Sequence, residues 1–377
     1  MRIAILHGSN DTYGATRVLI QEISCLVNVG HTVVVVVPQT GPLAHEISQA
    51  GLEATVIVDP GLAVLRRSNI SDLLHPIRLR PEVVDADLVV IWTLALAVYI
   101  PLLRAKRKNF YVSVHELLLS RVGNLLVRAL LAPGRFPICA CSEATATWLE
   151  RNGVARSRLT VTSPVFEPVT TVEAQAPHDP LTIAVVGRVN GHKGHLEVVR
   201  ALQSLSPETR PACPPFSASW RLLLFGAPFP GQEAALDAVL DLIAGDARIE
   251  YRGEAASVAA IAGEIDAVAC FPSTPEPFGL VPVEAWRVGV RAIGFADGGA
   301  GEVLPIVGGI GVARSGAPVS DIVSALERLE QSIRARTTLP TPSTVNPKFS
   351  LERRLMLLTR VVTQAGVRSN QRTARAN

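Results

Sequence analysis

Short uninterrupted apolar runs recur along the chain, separated by stretches whose apolar positions return with a helical period. Ile3–Leu6, Thr32–Val37, Ala54–Val58, Leu88–Trp92, Phe110–Val114 and Ile138–Ala140 read as strands. They are rich in Val and Ile without polar alternation, as expected of strands covered on both faces of a parallel sheet. Ala15–Val29 and Leu43–Ala50 read as helices closed by Gly30 and Gly51. Strand–helix alternation of this kind predicts a doubly wound α/β domain.

The pattern breaks over Thr162–Pro180, where Pro164, Pro168, Pro177 and Pro180 lie among Thr, Glu and Ala, a linker composition. A second series follows, with strands at Thr182–Val186, Trp220–Phe225, Ile249–Tyr251, Ala267–Phe271 and Arg291–Phe295. Leu196–Leu202, Gln232–Ala244, Val258–Ile265 and Glu284–Val288 read as its helices. The expected organisation is two Rossmann-like domains, 1–168 and 169–349, facing a central cleft. An amphipathic helix over about 350–367 is expected to pack back on the first domain, followed by a frayed basic tail.

Composition narrows the picture. A chain of 377 residues suits two domains, and 48% hydrophobic with 18% charged residues favours thick buried sheets over disorder. A net charge of +3 lacks the basic stripe that general nucleic-acid binding needs, so no nucleic-acid partner is expected. Cys25, Cys139, Cys141, Cys213 and Cys270 are scattered without zinc spacing, which reads as reduced, mostly buried thiols in a cytoplasmic protein. Met1–Leu6 is too short for the apolar core of a signal peptide. The uncharged run Leu88–Leu103 falls short of the roughly 20 residues a membrane span requires. It reads as a buried strand leading into a helix that starts near Thr93.

Two tracts in the second half carry candidate chemistry. Gly187-Arg188-Val189-Asn190-Gly191-His192-Lys193-Gly194 follows a strand and precedes a helix. Glycines let a backbone approach a ligand, a helix N-terminus favours an anion, and Arg188 and Lys193 add fixed positive charge. Taken alone, the same residues also describe an ordinary turn with solvated cations. Pro275-Glu276-Pro277-Phe278-Gly279-Leu280 follows the next-but-two strand, with Pro282 suited to the first turn of a helix and Glu284 beyond it. Two carboxylates near free helix-terminal amides suit a polyhydroxylated, phosphorylated ligand. The plainer reading makes Glu284 a first-turn acid and Glu276 a solvated one.

Together the tracts resemble the GT-B glycosyltransferases of family GT4, strongly from about Thr182 to Leu304 and more weakly upstream. The Gly187-Arg188…Lys193-Gly194 loop and the Glu276-x7-Glu284 motif enclosing Phe278-Gly279-Leu280 match that family's pattern. The resemblance implies a retaining hexosyltransferase whose substrate is a nucleotide sugar. Arg188 and Lys193 would clamp the diphosphate, and Glu276 with the Phe278–Leu280 backbone would hold the sugar. Glu284 would take the ribose hydroxyls, Gly226 would lie by the nucleotide, and Arg252 would read the base. Upstream, Gly14 falls in the first glycine-rich loop, which carries one glycine where many members have two adjacent. His115 would sit near the reaction centre, while His31 and Ser142 look structural, the latter as a helix N-cap.

No Asp-x-Asp ends a strand, so neither a metal nor another cofactor is expected. The acceptor implied is a glycan or lipid-linked molecule of bacterial cell-surface polysaccharide synthesis. Arg66-Arg67, Arg78, Arg80, the Arg104–Lys108 cluster and the apolar Leu117–Leu131 stretch with Arg121 and Arg128 point to peripheral contact with the inner face of an anionic membrane. A nucleotide-sugar epimerase of the same fold and a non-catalytic partner subunit are the alternatives. A nicotinamide-binding protein is disfavoured, because no Gly-x-Gly-x-x-Gly follows either first strand.

Overall fold

The computed structural model describes residues 1–65, 77–166, 176–205, 219–228, 231–340 and 347–373, the last stretch with side chains as far as 366. Arg66, Arg67, Pro168 and Cys213 lie outside the described residues. The chain divides into two compact units: Met1–Phe166 with Pro347–Asn377, and Glu167–Asn346.

In the first unit the elements run β1 (Arg2–His7), α1 (Gly14–Asn28), β2 (Thr32–Val37), α2 (Leu43–Gln49), β3 (Ala54–Val58), α3 (Pro81–Val84) and β4 (Leu88–Trp92). They continue as α4 (Tyr99–Ala105), β5 (Phe110–Val114), α5 (Arg121–Leu126), β6 (Ile138–Ala140), α6 (Glu143–Arg151) and β7 (Leu159–Val161). The second unit holds β8 (Leu181–Val186), α7 (His195–Gln203), β9 (Trp220–Phe225), α8 (Ala234–Ile243), β10 (Ile249–Tyr251) and α9 (Val258–Ile261). It then holds β11 (Ala267–Cys270), α10 (Leu280–Arg287), β12 (Arg291–Phe295), α11 (Ala300–Val303), β13 (Ile310–Val312) and α12 (Pro318–Arg334). The last helix, α13 (Leu351–Thr373), belongs to the first unit.

Each unit is built on one parallel sheet, of seven strands in the order β3-β2-β1-β4-β5-β6-β7 and of six in the order β10-β9-β8-β11-β12-β13. The strands are buried as their composition requires. Ile3, Ala4, Ile5 and Leu6 are 0% exposed, and Ile5 sits in register between Val35 and Val90. These are the two Rossmann-like units of the GT-B fold. In each sheet the chain winds outward one way from the first strand and then the other way from its neighbour. The reversal lies between β1 and β4 in the first sheet and between β8 and β11 in the second. Crevices at the carboxyl ends of such strand pairs are where open α/β sheets bind ligands.

Several elements differ from expectation. The helix placed near Thr93 begins at Tyr99, after a tight turn over Leu94–Leu96, and Pro101 then falls in its first turn, where no amide is needed. Helix α10 begins at Leu280 instead of Glu284, again with Pro282 in the first turn. Strands β7 and β13, three residues each, and helix α12 are absent from the sequence reading. Among the described residues, no helix is long and apolar enough to cross a membrane.

Helix α13 joins its unit through Arg354. This side chain, 1% exposed, donates to Glu22 Oε2 at 2.5 Å and to the carbonyls of Thr162 and Ser163 at 3.1 and 2.8 Å. The phenol of Tyr111 donates to the other oxygen of Glu22 at 2.8 Å. Phe166 and Phe349 stack beside this network, with ring centroids 4.4 Å apart.

Candidate functional site

In the second unit, the loops leaving β8 and β11 meet at the point where strand order reverses. The Lys193 ammonium forms an ion pair with Glu276 Oε1, the two side chains being 38% and 21% exposed. One residue earlier, His192 Nδ1 lies 3.1 Å from Ser273 Oγ, and the Ser273 amide donates to the His192 carbonyl at 2.8 Å. Between these contacts Gly194 adopts φ +85°, and a Cβ there would stand 2.1 Å from the Phe271 carbonyl oxygen. Only glycine allows so close a crossing of the two loops. Gly194 also caps α7 without any side chain on its free amides.

The other expected residues surround this crossing. The Gly187 amide donates to the Phe225 carbonyl at 3.1 Å, and Arg188 beside it is half-buried. Gly226, at the end of β9, donates to Gly253 at 2.7 Å and accepts from the Tyr251 phenol at 2.7 Å. Phe278 is buried, Gly279 caps α10 in a left-handed conformation, Leu280 opens the helix, and Glu284 is half-buried one turn along. The Cys270 thiol at the end of β11 senses them jointly. Burial pushes it well above its ordinary range, and the charges of Glu276 and Glu284 push it further while Lys193 opposes them. Arg252 follows β10, but its guanidinium pairs with Glu250 at 2.6 Å and lies 3.9 Å from Glu264. Its charge is directed to those two acids.

The first unit gathers a second set at its own reversal point. His7 ends β1 and is 1% exposed. Its Nε2 lies 3.0 Å from Thr16 Oγ1, and the Thr16 hydroxyl donates to Asp11 Oδ1 at 2.9 Å. With the hydroxyl proton committed to Asp11, the proton between His7 and Thr16 must sit on Nε2. Burial lowers the His7 pKa to about 4, so the ring is neutral. His115 follows β5, half-buried, stacked on Trp92 with centroids 4.3 Å apart, and its Nε2 is 2.9 Å from Ser113 Oγ. Burial, then the positive charge of Arg354, lowers its pKa to about 3.

Glu116 bridges two backbone segments. Its carboxylate accepts from the amides of Leu94 and His115, both at 3.0 Å, yet burial raises its pKa to about 7. Thr93, at φ +80°, makes the sharp turn that brings Leu94 to it. Gly14 is the first residue of α1, whose N-terminus has no side-chain cap. His7 and Glu116 were not singled out from the sequence, although both end or follow strands flanking the reversal. Ser142 caps α6, accepting from the Thr145 amide at 3.0 Å.

Away from these loops, α5 and the segment just before it present Leu118, Leu119, Val122 and Leu125 to solvent, Val122 at 77% exposure. Arg121 and Arg128 are exposed among them, as are Arg104, Lys106 and Arg107. Lys108 does not join this cluster, because its ammonium donates to the carbonyls of Val84 and Ala86. Arg80 pairs with Glu82 at 3.1 Å.

Comparison with known proteins identifies the family and the fold. Residues 142–336 match the model of a family described as family 4 glycosyltransferase in conflict systems. Residues 12–167 match glycosyltransferase family 4. No curated protein matches the chain in sequence. Among solved structures, HepE of Anabaena, crystallised with UDP and glucose, superposes with a TM-score of 0.73 at 18% identity, covering 96% of this chain and 99% of its own. Sucrose-phosphate synthase of Thermosynechococcus elongatus gives 0.68 at 16% identity, covering 96% and 98%. WaaG, a glycosyltransferase involved in lipopolysaccharide biosynthesis, gives 0.60 at 15% identity, covering 94% and 98%.

Proposed function

The chain belongs to the family 4 glycosyltransferases, and on that premise we propose that it moves a hexosyl unit from a nucleotide sugar to a glycan or lipid-linked acceptor with retention of configuration. The observation that carries this reading is the meeting of Lys193 and Glu276 across the β8–β11 crevice. A diphosphate competes with Glu276 for the Lys193 ammonium. Once it binds there, the Glu276 carboxylate is released to accept hydrogen bonds from sugar hydroxyls. HepE, crystallised with UDP-glucose, supports the donor class.

Departure of a nucleoside diphosphate builds negative charge on the leaving oxygen. Arg188, Lys193 and the uncapped amides at the start of α7 and α10 oppose that charge from fixed positions, which is where preorganised electrostatics contribute most. This set supplies the stabilisation a metal gives elsewhere, so the reading is metal-independent. A double displacement would require a carboxylate nucleophile under the anomeric carbon. In this reading Glu276 is assigned to the sugar hydroxyls and Glu284 to the ribose, which leaves that role unfilled. In the same-face path, the bond from the anomeric carbon to phosphate oxygen breaks as the bond to the acceptor oxygen forms. The acceptor's proton passes to the departing phosphate. His115, neutral because of its burial, serves as a hydrogen-bond partner of the sugar and not as an acid.

The exposed apolar and cationic surface around α5 supports peripheral contact with an anionic membrane, which suits a lipid-linked acceptor in cell-surface polysaccharide synthesis and a place at the cytoplasmic face. The family matched over 142–336 favours a second context, a role in conflict systems, with the same donor chemistry and another acceptor. A thermal-shift screen across UDP-, GDP- and dTDP-sugars tests the donor reading. One class is expected to raise the melting temperature of the wild type and not of Lys193→Ala. Equal shifts in both proteins, or no shift with any class, would overturn it.

A further inference from the structure

The Pro272–Phe278 loop carries Glu276. It follows β11 without regular structure, Ser273 and Thr274 are exposed, and Pro275 and Pro277 lack amides to donate. Besides its contacts with the His192–Lys193 segment, it is held by an arginine that follows a different strand.

Arg314 lies two residues beyond β13 and reaches across the carboxyl end of the sheet. Its Nη1 donates to the Pro272 carbonyl at 2.8 Å and to the Ser273 carbonyl at 3.4 Å. Its Nε and Nη2 donate to the two carboxylate oxygens of Asp297 at 2.7 and 3.3 Å. The guanidinium carbon rests 3.9 Å from the centroid of the Phe295 ring, which fixes the plane of the fork. The side chain is about a quarter exposed. Each of its three nitrogens thus donates to a protein group.

Asp297 opens a turn that touches the same loop further along. Two residues on, the Gly299 amide donates to the Glu276 carbonyl at 2.7 Å. A Cβ on Gly299 would lie 2.2 Å from the Pro277 carbonyl oxygen and 2.4 Å from Phe278 Cα. The turn thus presses backbone against backbone at the residue whose carboxylate meets Lys193. Arg314 holds the entry of the loop directly and its centre through Asp297 and Gly299. Ser273 in turn bonds His192, so the brace extends to the loop that carries Lys193.

We propose that Arg314 is a positioning residue that, with Asp297, fixes the Pro272–Phe278 loop and thereby the geometry of Glu276 and Lys193. The proposal rests on reading that loop as the sugar-binding wall of the donor site. A lysine cannot replace Arg314, because one ammonium cannot span a carboxylate and two carbonyls in a plane. Removing Asp297 frees the turn, whereas removing Arg314 frees both the turn and the loop entry, so Arg314→Ala acts at least as strongly and adding the Asp297 change to it matters little.

The test uses the full chain and begins without ligand. Hydrogen exchange followed by mass spectrometry is compared for wild type, Arg314→Ala, Arg314→Lys and Asp297→Asn. Peptides covering 271–280 and 189–194 should exchange at least tenfold faster in Arg314→Ala and Asp297→Asn, with partial recovery in Arg314→Lys, while peptides of β1, β2 and α12 keep wild-type rates. Unchanged exchange over 271–280, or a uniform rise across the second unit, would overturn the proposal. With the nucleotide sugar that the thermal-shift screen selects, Arg314→Ala should lower kcat about ten- to a hundredfold. Binding of the free nucleoside diphosphate should stay within threefold of wild type. A fall confined to binding of the diphosphate would also count against it. If the wild type binds no nucleotide sugar, the donor reading fails while the exchange experiment still decides whether Arg314 braces the loop.

Discussion

Arg354 and Glu22 stand 332 positions apart in the chain and share a 2.5 Å hydrogen bond with both side chains 1% exposed. Removing one partner leaves a buried charge with nothing to answer it, which costs about 3–5 kcal/mol. Arg354→Met is therefore expected to lower the stability of the first unit by that order. Glu22→Gln combined with Arg354→Met should recover a large part of the loss. Urea titration of the single and double variants checks it, and a double variant as unstable as Arg354→Met would show that the carbonyl contacts to Thr162 and Ser163 dominate.

Lys193 and Glu276 bear on activity more than on folding, because their ion pair is partly exposed and such pairs contribute little to stability. Lys193→Ala and Glu276→Ala are each expected to reduce turnover on the order of 10²-fold or more, by analogy with loss of an oxyanion donor. Melting temperatures should stay near that of the wild type. Initial rates of product formation at saturating donor decide it, and near-normal transfer by either variant would remove that residue from the mechanism.

His7 makes stability depend on pH. Its ring is neutral in the folded protein, with a pKa near 4 against 6.5 when unfolded. Between those values the unfolded chain binds the extra proton. The contribution is fully present above about pH 6.5, declines as pH falls, and is lost below about pH 4. Between pH 8 and pH 5 the difference amounts to about 2 kcal/mol. His7→Gln keeps a donor toward Thr16 and removes the titration, so its denaturation midpoint should fall less than that of the wild type over this range. Parallel pH profiles for the two proteins would refute the assignment.

Val122 and Leu125 test the membrane surface. Both are largely exposed, at 77% and 66%, with Arg121 and Arg128 on the same segment. Co-flotation with vesicles of phosphatidylglycerol and phosphatidylcholine is expected for the wild type. Val122→Glu/Leu125→Glu should abolish it without changing the melting temperature. A wild-type protein that stays at the bottom of the gradient disposes of the membrane contact.

What could be read from the sequence follows from how local each signal is. Most strands of both sheets are short apolar runs, and the Glu276–Glu284 and Gly187–Gly194 tracts are contiguous, so the strands and the tracts could both be placed from the sequence. Strands β7 and β13 are three residues each, the first running straight into the Thr162–Pro180 linker composition and the second split by Gly311, so neither stands out from its turn-like surroundings. Helix α12 was legible in principle, since Ile322, Leu326, Leu329 and Ile333 form a buried stripe at helical spacing. The Arg314–Asp297 pair was not, because two loops after neighbouring strands bring it together and no local pattern marks it. The same holds for His7, whose burial and bond to Thr16 depend on α1 folding back over β1. The ion pairs of Arg252 with Glu250 and Glu264 are likewise contacts that no local pattern marks.

The first unit is discontinuous, closed by a helix encoded after the whole of the second. During synthesis, Glu22 and Tyr111 emerge long before Arg354, so the first unit waits with an unpaired acid in its interior until the last helix leaves the ribosome. The second unit is one uninterrupted stretch and can complete its sheet in the meantime. Although it comes later in the chain, it is therefore the part able to finish folding first, and a product truncated before Pro347 would carry a finished second unit attached to an unfinished first one.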